Sequence, residues 1–115
     1  MTNSYSLVSV IIPVFNAERS ILKTLESVKS QTFIDYEIII VDDGSTDGSV
    51  LRIRSFTSNN PEIKITLVLK HNGGVSIARN AGLKIAKGTW IALLDADDFW
   101  LPNKLEDQLN IVLKS

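Results

Sequence analysis

Three carboxylates, Asp95, Asp97 and Asp98, follow directly on the apolar run Trp90 to Leu94, with a single alanine among them. Acids held this close repel one another and are costly to desolvate, so they are stable where solvent reaches them or where a cation sits between them. Hard divalent ions such as Mg²⁺ and Mn²⁺ take oxygen ligands of this kind. The plainer reading is a solvated acidic turn leading into a helix. A second pair, Asp42-Asp43, follows another apolar run, Glu37 to Val41, and opens the stretch Asp42-Asp43-Gly44-Ser45-Thr46-Asp47-Gly48. The one arginine with a chemical case is Arg79, a turn beyond Gly73-Gly74; its guanidinium could pair with a phosphate or a carboxylate, or simply bridge to Asp42 or Asp43. His71 reads as a solvated loop side chain. Asp47 and Asp98 are accounted for if each favours the start of a helix.

The elements that position these groups are legible from periodicity. Leu7 to Ile12 is rich in β-branched residues and reads as a strand, with Pro13 to Ala17 as the loop after it. From Ala17 to Ser30, Ile21, Leu22, Leu25 and Val28 recur at helical spacing. After the second strand at Glu37 to Val41, the glycines of the acidic stretch allow a tight turn, with Ser45 or Thr46 as helix N-cap. Val50, Leu51, Ile53 and Phe56 then mark a shorter helix that Ser58 to Pro61 ends. Ile63 to Leu69 is the third strand. The third helix, Val75 to Ala86, carries Ile77, Ala78, Ala81 and Ile85 on one side and stops at Gly88. Trp90 to Leu94 reads as a fourth strand buried on both faces. Pro102 opens a last helix whose apolar stripe is Leu105, Leu109, Val112 and Leu113.

Strand and helix alternate four times, which implies an α/β fold: a Rossmann-like, doubly wound parallel sheet with right-handed crossovers. We expect the spatial order 3-2-1-4. All strand C-termini then meet at one edge, and four loops gather there: Pro13 to Ala17, Asp42 to Gly48, Lys70 to Gly74 and Asp95 to Trp100. No G-x-G-x-x-G follows the first strand and no G-x-x-x-x-G-K-[ST] occurs, so phosphates would be held by a metal on the acids or by Arg79 rather than by a glycine-rich cradle.

The 115 residues suffice for one domain with a core. A net charge of -1 argues against a nucleic-acid partner, which calls for a basic surface. Without cysteine there is neither disulfide nor thiolate metal site, and no run approaches the ~18 apolar residues of a membrane span.

Four segments together resemble a known family: Val10 to Asn16, Ile40 to Gly48, Asn72 to Gly82, and Leu94 to Asp98. In that order and spacing they are similar to the N-terminal, donor-binding half of family 2 glycosyltransferases, which have the GT-A fold. The resemblance implies transfer of a sugar, with inversion, from a nucleotide-diphospho-sugar, UDP-linked by expectation, to an acceptor hydroxyl on a sugar or lipid-linked glycan, with Mn²⁺ or Mg²⁺ as cofactor. It implies that Asp43, with Asp42 beside it, bonds the nucleotide base; that Pro13, Val14, Phe15 and Asn16 line the nucleoside pocket; and that Arg79 lies near the nucleotide. Asp95 and Asp97 match the Asp-x-Asp motif, Asp97 on the metal that bridges the diphosphate and Asp95 on the ribose or donor sugar and the metal. The family's general base comes from its C-terminal half, so the resemblance puts that base beyond Ser115 and no catalytic residue within the chain. Residues 1–115 are then expected to be a single donor-binding domain cut before the acceptor part, able to bind donor without efficient turnover.

Such a domain would work in the cytoplasm, at the inner face of a membrane in a longer protein, and would self-associate through an exposed fourth strand. A nucleotide-binding module without catalysis is one alternative. A haloacid-dehalogenase-like phosphatase is another, but there the acid pair follows the first strand, not the fourth. A receiver-like domain also has its acid pair on the first strand.

Overall fold

The computed structural model describes the backbone of residues 6–114 and the side chains of residues 6–111. The expected apolar contributions of Val112 and Leu113, and the boundary expected at Ser115, lie outside the described residues. Elements alternate as β1 (Val8–Val14), α1 (Ile21–Lys29), β2 (Tyr36–Asp42), α2 (Ser49–Asn59), β3 (Ile65–Leu69), α3 (Val75–Ile85), β4 (Trp90–Leu93) and α4 (Lys104–Lys114). The strands form one parallel sheet in the order β3-β2-β1-β4, as the sequence implied. Every residue of β1 and β2 is buried, which is why both read as largely apolar runs, with Ser9, Glu37 and Asp42 the buried polar exceptions. Val10, Ile12, Val14, Ile38 and Ile40 pack with Ile21, Leu25 and Val28 of α1, Ile53 and Phe56 of α2, and Leu105 and Leu109 of α4. On the opposite face, Ile11, Ile39 and Val41 meet α3 through Ala78.

Three expectations need correction. First, β4 is not buried on both faces. It is the outer strand, paired only with β1, and Trp90, Ile91 and Leu93 are 37%, 42% and 51% exposed. α4 covers one side of it through Leu105 and Leu109, while α3 lies over β1 and β2 instead. Only Leu94, just past the strand, is fully buried. Second, the face that α3 buries is Ala78 and Gly82, not Ile77 or Ile85, which stand half exposed. These small residues let the helix approach so closely that a Cβ on Gly82 would lie 2.7 Å from Ile11 Cγ2, and the larger side chains are displaced to the flanks. Third, Gly88 does not end α3, which closes at Ile85 with Ala86 already extended.

Gly88 instead lets the chain pass the start of β1. A Cβ there would fall 2.6 Å from the Ser9 nitrogen and 2.8 Å from the Val8 carbonyl carbon. A buried network holds this crossing: Gly88 N–H donates to Ser9 Oγ (2.7 Å), Ser9 Oγ donates to Glu37 Oε2 (2.6 Å), and Lys87 N–H donates to the same oxygen (2.8 Å). Because the obstacle is backbone, it cannot rotate away. Gly88→Ala is expected to destabilise the fold by about 1–3 kcal/mol, read as a lower urea midpoint; an unchanged midpoint would show that the crossing has slack.

The acidic loop reaches α4 by a different route from the one expected. Pro102 precedes the helix, in a turn whose carbonyl accepts Thr32 N–H at 2.8 Å. Asp98 lies six residues before α4 and does not cap it: its Oδ1 accepts Phe99 N–H (2.8 Å), and Leu105 N–H instead finds Gln31 Oε1 (3.0 Å).

Candidate functional site

Strand order reverses between β1 and β4, and a crevice opens outside their C-terminal ends, as it does in open α/β sheets generally. A cleft of about 450 Å³ occupies this position. Pro13, Phe15 and Asn16 form one wall, Val75 and Arg79 of α3 another, and Asp95 to Asp97 the third. Six of the nine residues singled out from sequence therefore share one cavity. Val14, Asp42 and Asp43 do not line it; Val14 is a buried core residue, and the two acids lie on the adjoining β2 loop, each 3% exposed. Ala17, Ser20, Val75 and Ala96 line the cleft and were missed, being small or apolar side chains with no chemical signature of their own.

Much of the Asp42 to Gly48 motif is scaffolding for the first wall. Asn16 sits in the left-handed region (φ 49°) that asparagine tolerates better than most residues. Its N–H donates to Ser45 Oγ (2.8 Å), and its Oδ1 accepts Thr46 N–H (2.8 Å). Ala17 N–H donates to Ser49 Oγ (2.8 Å), and Asp43 N–H reaches the Val14 carbonyl (2.7 Å). Ser45 and Thr46 thus brace the β1 loop rather than capping α2, whose cap position is Gly48. Asp47 does what was expected of it: Oδ1 accepts Ser49 N–H (2.9 Å) and Ser49 Oγ–H (2.6 Å), and Oδ2 accepts Glu18 N–H (3.2 Å). The Ser49 hydroxyl does most to hold the Asp47 carboxyl below the usual range; burial opposes it, and the Ser49 and Glu18 N–H groups lower it further. Phe15 is left projecting, 52% exposed, at the mouth of the cleft.

Asp43 is the most heavily bonded acid at this edge. Oδ1 accepts Lys70 Nζ (2.7 Å) and Gly73 N–H (2.9 Å), and Oδ2 accepts Gly74 N–H (2.9 Å). The Lys70 hydrogen bond lowers its pKa most, burial opposes this, and the Gly74 and Gly73 N–H groups lower it further. Asp43 is therefore a carboxylate that folds the Lys70 to Gly74 loop around itself. Asp42 Oδ2 accepts Ser45 N–H (3.1 Å), while its buried Oδ1 has no hydrogen-bond partner. His71 is exposed, and its carbonyl accepts Lys70 Nζ.

Arg79 reaches neither Asp42 nor Asp43. It spans the cleft to Asp95, Nη2 to Oδ1 at 2.9 Å. The reason is placement: Arg79 lines the cleft across from Asp95, while Lys70, just past the end of β3, already occupies Asp43. Asp97 is exposed and makes no hydrogen bond or ion pair with the described residues. Two carboxylates open to solvent at one cleft suit a hard dication that keeps water or ligand oxygens in its remaining positions. Among the described residues no group of three or more His, Cys, Asp or Glu gathers to hold a metal alone, so water or ligand oxygens would complete the shell.

A parallel α/β layer with a crevice at its switch point, lined by an acid pair, an arginine and an aromatic, places the chain among the open-sheet α/β proteins. The comparisons narrow this class. The sequence pattern of Glycosyl transferase family 2 matches residues 9–114, and the chain belongs to that family. It is 40% identical over 109 residues to the UDP-Glc:alpha-D-GlcNAc-diphosphoundecaprenol beta-1,3-glucosyltransferase WfgD of Escherichia coli, covering 95% of this chain and 42% of WfgD. Its fold matches S. aureus TarS 1-349 in complex with UDP-GlcNAc, with a TM-score of 0.83 and 32% identity over 93% of this chain and 31% of that one. It also matches the mannosyltransferase PcManGT of Pyrobaculum calidifontis in complex with GDP-Man and Mn²⁺, with a TM-score of 0.82 and 29% identity over 96% of this chain and 32% of that one. The fold is thus of the GT-A type, and the chain spans less than half the length of these relatives. The phosphatase and receiver-like alternatives fall here, since the acid pair follows β4 and the family is assigned.

Proposed function

We propose that this chain is the donor-binding part of an inverting, metal-dependent glycosyltransferase that takes a nucleotide-diphospho-sugar, UDP-linked, as donor. One observation carries the reading: the cleft between β1 and β4 brings Phe15 and Asn16, Arg79, and Asp95 with Asp97 around a single space. Phe15 offers an apolar face for a base or ribose. Asp43 is proposed as the acceptor for a base N–H through Oδ2, which carries one hydrogen bond and has a lone pair left; Asp42 Oδ1, buried and unpartnered, is a second acceptor in the same loop. Arg79 is proposed to serve both Asp95 and the diphosphate, and Asp97, with Asp95, to hold the dication. Bound there, Mn²⁺ or Mg²⁺ would stabilise the charge that develops on the departing diphosphate.

The general base is proposed to lie beyond Ser115, outside the described residues. The acids of α4 are engaged elsewhere, Glu106 accepting the Thr32 hydroxyl and Asp107 bonding Asn103. We therefore expect donor binding without efficient transfer. WfgD's name gives a lipid-linked diphosphate acceptor; by analogy, a sugar or lipid-linked glycan at the inner, cytoplasmic face of a membrane is proposed here. No helix among the described residues is long and apolar enough to cross a membrane.

A panel of ligands in a thermal-shift assay with Mn²⁺ tests the reading. Nucleoside diphosphates and nucleotide sugars should raise the melting temperature, and uridine alone should not. Equal shifts from all, or from none, would remove it; a pure binding module would show the shifts yet never release sugar from labelled UDP-sugar, even within a full-length enzyme.

Self-association through β4 is also proposed. Among the described residues no strand pairs with its outer edge, and Ile91 and Leu93 are 42% and 51% exposed beside it. Light scattering at high concentration should show dimers or larger species, reduced by Ile91→Lys; a monomer throughout would contradict this.

A further inference from the structure

α1 presents polar side chains along one side, from its flanking residue Ser20 through Thr24 and Ser27 to Gln31 beyond its C-terminus, each one helical turn from the next. These residues bond the chain from Ala96 to Leu105, more than 65 positions away. Ser20 Oγ donates to the Ala96 carbonyl at 2.8 Å, and Thr24 Oγ1 lies 2.6 Å from the Asp98 carbonyl and 2.9 Å from that of Ala96. A hydroxyl carries one proton. The distances assign Thr24's proton to Asp98 and leave Ala96 to Ser20. Ser27 Oγ then accepts Trp100 N–H (3.1 Å), and Gln31 bonds both the Leu101 carbonyl (2.7 Å) and Leu105 N–H (3.0 Å). Asp97 itself touches none of this. Its backbone lies between two carbonyls that are pinned from the same helix, and its carboxylate is left free over the cleft.

We propose that Thr24, with Ser20, is a positioning residue for the Asp97 carboxylate: by fixing the peptide plane that enters Asp97, through the Ala96 carbonyl, and the plane that leaves Asp98, through the Asp98 carbonyl, the α1 hydroxyls set where that carboxylate stands, and so set metal affinity without touching the metal. This rests on the reading of Asp97 as a metal ligand. Thr24 is 1% exposed, so no solvent hydroxyl can replace its own. A carboxylate at a solvent-open site has no packing of its own to orient it, and outer hydrogen bonds then decide how much freedom is lost on coordination.

The test compares three variants by calorimetric titration of Mn²⁺ in the presence of UDP. Thr24→Val keeps the shape and removes the proton. Thr24→Ser keeps the proton. Thr57→Val removes a comparable hydroxyl that donates to the Ile53 carbonyl in α2 (2.9 Å), away from the cleft. Thr24→Val should weaken Mn²⁺ about tenfold, Thr24→Ser should stay within about twofold, and Thr57→Val should leave Mn²⁺ affinity unchanged even if it lowers the melting temperature as much. Equal Mn²⁺ affinity in Thr24→Val and the unaltered protein overturns the proposal, as does an equal loss in Thr57→Val. Should Thr24→Val fail to fold, Ser20→Ala, which frees the Ala96 carbonyl from a half-buried site, carries the same expectation and the same overturning result. If the unaltered protein binds no Mn²⁺ with UDP, it is the metal-site reading that fails.

Discussion

Asp97→Ala is expected to reduce the affinity for UDP in Mn²⁺ to the level seen in EDTA, while leaving the fold intact. Removing an outer partner of a metal ligand typically costs 10–100-fold in metal affinity, so removing the ligand itself should cost about 100-fold or more in Mn²⁺ affinity, and UDP affinity should fall by tenfold or more, to its metal-free level. The side chain is exposed and bonds none of the described residues, so thermal stability should move by no more than about 0.5 kcal/mol. That separation, a large binding loss on an unchanged fold, is what a ligand-holding residue shows and a structural one does not. Asp95→Ala should behave differently, because it also releases Arg79 from its 2.9 Å contact; metal dependence falls there too, but metal-free UDP binding can rise as the arginine becomes available to phosphate. Binding in Asp97→Ala that still responds to Mn²⁺ would show that the metal is held elsewhere.

The second large effect concerns stability. Asp43→Ala strands three donors, Lys70 Nζ and the N–H groups of Gly73 and Gly74, around a carboxylate site that is almost wholly buried. Breaking such a pair from one side leaves an uncompensated charge and costs on the order of 3 kcal/mol. UDP binding should weaken several-fold with or without metal, since the loop behind the cleft loses its anchor. Lys70→Met should destabilise less, because the two backbone donors still hold the acid. The double variant should cost less than the sum of the two, since both remove one interaction.

The same contact sets the response to acid. The native Asp43 carboxyl is held below the ordinary value, first by Lys70. Its stabilisation is therefore present in full above the unfolded carboxylate value of about 4 and is lost as pH falls through the lowered native value. Lys70→Met removes the largest cause of that lowering, so acid unfolding followed by circular dichroism should begin at a higher pH. An unshifted acid limb would show that the glycine N–H groups alone govern Asp43.

The parallel order β3-β2-β1-β4 was legible because β1 and β2 are buried on both faces and are dominated by β-branched apolar residues, broken only by the buried polar residues Ser9, Glu37 and Asp42. β4 carries the same kind of run, and its edge position in the order 3-2-1-4 was legible, but its burial was overstated, because hydrophobicity alone does not say how many faces of a strand are covered. On α3 the expected Ala78 and Ala81 do face the sheet, but Ile77 and Ile85 do not and Gly82 does, because periodicity weights large side chains while this contact is made by small ones. At the site, residues with their own chemistry, Arg79, Asp95 and Asp97, could be named from type and spacing. Their partners could not. Nothing local says that Lys70 rather than Arg79 reaches Asp43, since that depends on which side of α3 faces which strand. Ser45 and Thr46 look like helix caps in sequence; they became braces because Asn16, 29 and 30 positions earlier, takes a left-handed turn beside them. The hydroxyls of α1 were invisible as a group because their acceptors are backbone carbonyls more than 70 positions away.

The central claim is that the cleft between β1 and β4 binds a nucleoside diphosphate through a dication on Asp95 and Asp97. The most direct measurement is calorimetric titration of UDP into the protein, once with Mn²⁺ and once with EDTA. The account expects saturable heat at sub-millimolar UDP with Mn²⁺ and affinity weaker by tenfold or more with EDTA. No heat at millimolar UDP in either condition, or identical binding in both, would contradict it.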